Sequence, residues 1–159
     1  MVKLSSREEE SNMIHHSKEL EINASVETVW ATLARFMHID EFAPYVTSVD
    51  ALSVNHDGLG AKRRCHFDNG TSLVEQVIAW SSNHSYRVHL SEMDAMPLIA
   101  SEAEIKIQAL DAGRTLVTWS MDYSVKYGAL GWLLGQTLMK MMMGKVLVAN
   151  LKGLAASIT

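Results

Sequence analysis

Two charged residues, Arg63 and Glu75, alternate with apolar ones and are the strongest candidates for chemistry in this chain. In a strand expected over residues 61–67, Arg63, Cys65 and Phe67 share one side. In a second strand, over 71–80, Leu73, Glu75 and Val77 do the same. The apolar members point both sets inward, so a carboxylate and a guanidinium are expected to face an apolar interior. Buried charges of this kind need partners. The Asn69-Gly70 step between the strands is a hairpin signal. It makes an Arg63–Glu75 cross-strand pair the expectation, either closing the floor of the interior or anchoring a ligand's polar group. The register is left open, because a bulge would shift it by one residue and flip a face.

The other reactive side chains offer less. Cys65 is the only cysteine and sits among apolar neighbours, which suits an inert core thiol better than a nucleophile. Of the seven histidines, His15, His16, His38, His56 and His84 fall in segments that read as exposed strand or turn. Alternation turns His66 and His89 outward. No spacing of His, Cys, Asp or Glu resembles a metal-ligand motif. Neither a nucleophile elbow nor a phosphate loop or dinucleotide fingerprint is present. No metal and no cofactor are expected.

These residues must be positioned by a chain of 159 residues and 17.7 kDa, room for one domain and a tail. Residues 1–12, polar and carrying Glu8-Glu9-Glu10, read as a flexible N-terminal tail, and residues 13–159 as a single domain. A strand is expected over 14–22, with Leu20 and Ile22 on one face and Glu19 and Glu21 on the other. Ser25 offers an N-cap to a helix carrying Val26, Val29, Trp30 and Leu33 at helical spacing. A second short helix over 38–42 ends before Pro44. Strands then follow over 45–54, 61–67, 71–80, 86–91, 99–110 and 115–125, separated by turn signals. On the last, Trp119, Met121, Tyr123 and Val125 share the inward side. After Gly128 the period turns helical to the end, with Met143, Leu147, Leu151, Leu154 and Ile158 on one face. Gly131, Gly135, Gly144 and Gly153 within it suggest that the helix backbone passes close to something bulky. One antiparallel sheet and one long helix make an α+β architecture.

Composition narrows the function. The chain is 48% hydrophobic and 20% charged, with a net charge of −4, and gives no basic face for nucleic acid. A lone cysteine implies no oxidising compartment, and the first ten residues lack a signal peptide's apolar core. A cytoplasmic location is expected. Lys140, Lys145 and Lys152 interrupt the apolar C-terminal stretch and argue against a membrane span. From Lys126 onward there are four lysines and no acids. Leu134, Leu138, Met141 and Met142 lie off the Met143–Leu147 face. This combination predicts a docking surface for a second copy or for an anionic membrane.

Several motifs, taken in order, resemble one superfamily. They are Asn23-Ala24-Ser25-Val26-Glu27-Thr28-Val29-Trp30, Leu73-Val74-Glu75-Gln76-Val77, and Gly113-Arg114-Thr115-Leu116-Val117-Thr118-Trp119. Lys126-Tyr127-Gly128-Ala129-Leu130-Gly131 then precedes a Met-rich helix. Together they are similar to the START/birch-pollen-allergen superfamily, and within it to the polyketide cyclase/dehydrase and lipid-transport branch, from Ile14 to the C-terminus. The resemblance implies a helix-grip fold, a seven-stranded antiparallel sheet wrapped around a long C-terminal helix, with two short helices after the first strand. It also implies an internal cavity for a lipid, sterol or aromatic polyketide-like molecule. Related hormone receptors carry acidic and basic residues at positions matching Glu75 and Arg63.

The expected ligand wall is therefore Arg63, Cys65, Phe67, Leu73, Glu75 and Val77 from the hairpin, Trp119, Met121 and Tyr123 from the last strand, and Met143 and Leu147 from the helix. The leading expectation is a binding protein for a hydrophobic small molecule. The alternative is a cyclase or dehydrase, with Glu75 as general base and Arg63 or Tyr123 steadying an oxyanion.

Overall fold

The computed structural model describes residues 13–93, 98–125, 130, 131, 133 and 135–158. The expected tail (1–12), the loop holding Pro97, residues 126–129 and Leu134 lie outside the described residues. Seven strands form one antiparallel sheet: β1 (Ile14–Ile22), β2 (Val46–Ala51), β3 (Lys62–Phe67), β4 (Ser72–Ser81), β5 (Ser85–Ser91), β6 (Leu98–Asp111) and β7 (Arg114–Val125). Their order across the sheet is β1-β7-β6-β5-β4-β3-β2, so consecutive strands are neighbours except that β1 adds to β7. Helix α1 (Val26–Leu33) and a 3-10 turn (Phe36–Glu41) follow β1, and helix α2 (Lys140–Ile158) ends the chain. This is the helix-grip architecture.

Local chemistry accounts for the boundaries. Ser25 has extended backbone angles, and its hydroxyl accepts from the Thr28 N–H at 3.2 Å, capping α1. Loss of this cap in Ser25→Ala is expected to lower stability by about 1 kcal/mol, measurable by urea unfolding. The second short helix begins earlier than its apolar spacing indicates and is a 3-10 turn. Arg35 and Glu41 clamp it with two hydrogen bonds of 2.7 and 3.1 Å. Between β3 and β4, Gly70 takes φ of +84°, and Asn69 Oδ1 accepts from the Thr71 N–H and hydroxyl. The C-terminal helix is not one uninterrupted α-helix. A wider π-type turn, Gly135–Met139, leads into α2, and in it the Thr137 hydroxyl donates to the Leu133 carbonyl at 3.1 Å.

Alternation sorts the two faces of the sheet. Outward lie the pairs His15–Asp122, Arg87–Glu102, Arg87–Asp122 and His66–Asp50, at 2.6–2.8 Å. Inward lie Val117, Trp119, Met121 and Tyr123 of β7, Tyr86, Val88 and Leu90 of β5, and Leu73 and Val77 of β4, all buried. Register shifts between Val77 and Ala79 on β4 and between Val46 and Ser48 on β2 mark bulges, which add twist and help the sheet curl. Into the curl go Met143, Leu147, Leu151 and Leu154 of α2. Ile158, expected on that same face, is partly buried against the core.

Two of the helix glycines explain themselves. A Cβ on Gly144 would lie 2.8 Å from His16 Nε2, and one on Gly153 would lie 1.9 Å from the Phe42 carbonyl oxygen. The backbone of α2 does run against bulky neighbours at these points. By length and composition Thr137–Ile158 would suit a membrane span, with mean hydropathy 1.2. That is weak evidence for a span, because the face buried in the sheet accounts for part of the apolarity.

Candidate functional site

The β3–β4 hairpin sets Arg63 directly opposite Glu75 and Cys65 opposite Leu73. Arg63 Nε donates to Glu75 Oε2 at 2.7 Å, and Nη2 of the same guanidinium is paired with that oxygen. Nη1 donates to the carbonyl of Phe36, at the start of the 3-10 turn. The guanidinium carbon also stands 3.7 Å from the centroid of the Phe36 ring, a cation–π contact in a desolvated place. Side-chain exposure is 2% for Arg63 and 13% for Glu75, so the arginine depends on its partner and the carboxylate keeps a narrow opening.

The pair organises its surroundings. Burial works against the charge on Arg63, but Glu75, together with Cys65 and Tyr86, outweighs it and holds the guanidinium pKa above its ordinary value. Cys65 Sγ lies 3.9 Å from Glu75 Oε2; burial, reinforced by the carboxylate, pushes its thiol up to about 12. Such a thiol is no nucleophile at neutral pH. Burial likewise pushes Tyr86 up to about 12. Tyr86 stacks on Trp80 at 5.4 Å and meets Phe36 edge-on at 5.8 Å, and Trp30 meets Trp80 edge-on at 5.2 Å. The result is an aromatic floor with one ion pair set into it.

Of the eleven residues expected to wall a ligand, Arg63, Cys65, Leu73, Val77, Trp119, Met121, Tyr123, Met143 and Leu147 are buried, while Phe67 and Glu75 are partly so. The structure brings the nine apolar ones into one core, eight of them buried in it and Phe67 packed against its edge. A groove of about 700 Å³ lies elsewhere, along the seam between α2 and β1, and none of the eleven lines it. His16 and Lys18 of β1 and Tyr45 form one wall. Met141, Gly144, Val148 and Ala149 of α2 form the other, with Lys140, Lys145 and Lys152 at its rim.

His16 corrects a sequence expectation. It reads as exposed beside His15, yet it shares the inner face with Ile14 and Ile22, both buried. Its Nε2 is enclosed above Gly144 and has no hydrogen-bond partner among the described residues. The alternation of Ile14, Leu20 and Ile22 carried this signal; taking the two adjacent histidines together hid it. Burial, then Lys140, Lys18 and His15, holds the imidazole pKa below 6.5. The unfolded chain therefore takes up this proton first as pH falls. Stability is expected to fall as pH drops through about 6.5 and to level off, at the lower value, once the folded midpoint of His16 is passed. An imidazole NMR titration should give His16 a midpoint under 6.5, and no depression at His16 would contradict this placement.

The exposed apolar residues follow the expectation in part. Leu138, Met141 and Met142 are exposed, as are Leu130 and Leu133. With its side chain in solvent, Met142→Glu is expected to change unfolding free energy by no more than about 0.5 kcal/mol. Among the described residues no three His, Cys, Asp or Glu side chains converge where a metal ion could sit.

The family model for "Polyketide cyclase / dehydrase and lipid transport" matches residues 13–159. The chain belongs to this family. Among solved structures it is similar to the ZhuI aromatase/cyclase from Streptomyces sp. R1128, with TM-score 0.78 and 18% identity over 92% of this chain and 93% of that one. A START superfamily protein from Mycobacterium smegmatis gives TM-score 0.73 and 23% identity, covering 91% and 96%. Norcoclaurine synthase from Thalictrum flavum, in complex with dopamine and hydroxybenzaldehyde, gives 0.71 and 15%, covering 92% and 86%. At these identities the likeness concerns the fold. No curated protein matches the chain in sequence. Within the polyketide cyclase/dehydrase and lipid transport family, sheet, grip and terminal helix are therefore the shared frame, and the particular side chains must speak for function.

Proposed function

We propose that this chain is a cytoplasmic binding protein for a hydrophobic small molecule, held between the sheet and the C-terminal helix. The observation that supports it best is the groove of about 700 Å³ at that seam, where α2 turns Met141, Val148 and Ala149 toward β1. Its volume falls within the range of small-molecule sites. The Met-rich start of α2 supplies side chains able to adapt to varied shapes.

A cyclase or dehydrase would need a base that reaches the ligand. Glu75 is the candidate, but its Oε2 is already held by Nε and Nη2 of a buried Arg63. We assign the pair to the floor of the grip and the protein to the binding class.

Native mass spectrometry after gentle purification would identify a co-purifying ligand. Thermal-shift screening should then find stabilisation by fatty acids, sterols or aromatic polyphenols, and none by nucleotides or metal ions. At a hundredfold excess over its Kd a ligand binding only the folded state adds about 2.7 kcal/mol. A screen in which no lipophilic compound raises the melting temperature would refute the proposal.

A further inference from the structure

The groove between α2 and β1 has a feature that hydrophobic binding alone leaves unexplained. Four lysines line it, Lys18 from the sheet and Lys140, Lys145 and Lys152 from the helix, with no Asp or Glu among its described lining residues. Elsewhere the described cations are mostly neutralised. Arg35, Arg63, Arg64, Arg87, Lys106 and Arg114 each lie in an ion pair with a carboxylate. The four groove lysines have no such partner among the described residues, although the chain as a whole is acidic, at −4. Cations gathered on one concavity without counter-charges raise its potential and favour an anion there.

The histidine enclosed at this seam gives a second, independent sign. His16 Nε2 lacks a hydrogen-bond partner among the described residues, and Lys140 and Lys18 both act on its ring electrostatically. Beyond the lysines the wall is apolar, through Met141, Val148 and Ala149. A small inorganic anion would leave that surface wet, and a neutral lipid would leave the charges unanswered.

Building on the binding reading above, we infer that the groove selects amphipathic anions. A carboxylate or phosphate head meets Lys18, Lys140, Lys145 and Lys152 near His16, and the hydrocarbon or aromatic body lies along Met141, Val148 and Ala149. A bound head would favour the protonated imidazole, so binding should tighten as pH falls toward and below 6.5. The groups facing that ring are Lys18 and His15 from β1 and Lys140 from α2.

The test compares myristate, methyl myristate and tetradecyltrimethylammonium on the full chain by calorimetry, all below their aggregation limits. Myristate should bind about tenfold more tightly than its ester, a difference near 1.4 kcal/mol, and lose that advantage in high salt. Lys145→Gln/Lys152→Gln should weaken myristate severalfold and the ester much less, narrowing the difference between them. The His16 midpoint should rise when myristate binds and not when the ester does. Dodecyl phosphate in the same assay tells a phosphate preference from a carboxylate one, and either preference over the ester supports the inference. Equal binding of acid and ester, or a preference for the ammonium, would overturn it while leaving hydrophobic binding intact. If none of the amphiphiles binds, this inference fails together with the reading beneath it. Retention on phosphatidylglycerol vesicles, without binding of monomeric myristate, would overturn it in favour of docking on a bilayer surface.

Discussion

Replacing Glu75 with alanine should destabilise the protein by about 3–5 kcal/mol, because it strands a buried guanidinium without a counter-charge. The two halves of the pair are not equivalent. Arg63 is 2% exposed and Glu75 13%, so Arg63→Ala leaves a carboxylate that can recruit water through its opening, and should cost less than Glu75→Ala. Removing both charges for apolar groups of similar size, as in Arg63→Met/Glu75→Leu, should be neutral or stabilising by about 1–4 kcal/mol. Urea unfolding of the three variants checks the order. If Glu75→Ala instead folds as stably as wild type and loses only ligand affinity, the pair is a ligand anchor and its assignment to the floor is wrong.

Gly153→Ala carries the second large effect. In a helix interior this change ordinarily gains about 1 kcal/mol through propensity. Here the added Cβ would come within 1.9 Å of the Phe42 carbonyl oxygen and 3.1 Å of its carbon, backbone atoms that cannot rotate aside. Either α2 or the chain leading from the 3-10 turn must move, and overpacking of this kind costs about 1–3 kcal/mol or more. The net result should be destabilisation of that order, visible as a lower urea midpoint. Gly144→Ala meets only the end of the His16 side chain and should be milder. A Gly153→Ala protein more stable than wild type would show that the helix does not sit this close to Phe42.

How these features could be read from sequence depends on the range of the forces behind them. Strand parity and the Asn69-Gly70 turn are local, and they are enough to put Arg63 and Glu75 on facing strands and Trp119, Met121 and Tyr123 on one side. Motif order identifies the grip. The contact that satisfies Arg63 from outside the hairpin, the Phe36 carbonyl, comes from a segment far away in sequence and leaves no local pattern. The groove is of the same kind. Lys18 is separated from Lys140, Lys145 and Lys152 by almost the whole fold, and only the packing of α2 on β1 gathers them. The π-type turn at Gly135–Met139 is hidden for a different reason, since the apolar period runs on through it although the backbone there widens.

The pairing of β1 with β7 has a consequence for how the molecule comes into being. Ile14 meets Tyr123 and Ile22 meets Thr115, so β1 finds its place in the sheet only once β7 has been made. Such non-local closure is slow, because the loop entropy is lost before the contacts are gained. On a ribosome, β2 through β6 can pair as they emerge, each with its neighbour in the chain. The inner face of that growing sheet, with Leu73, Val77, Val88 and Leu90, stays open until α2 follows. The nascent chain thus displays its own lining to other molecules before it can enclose anything, which exposes it to aggregation and makes chaperone capture most effective in that interval.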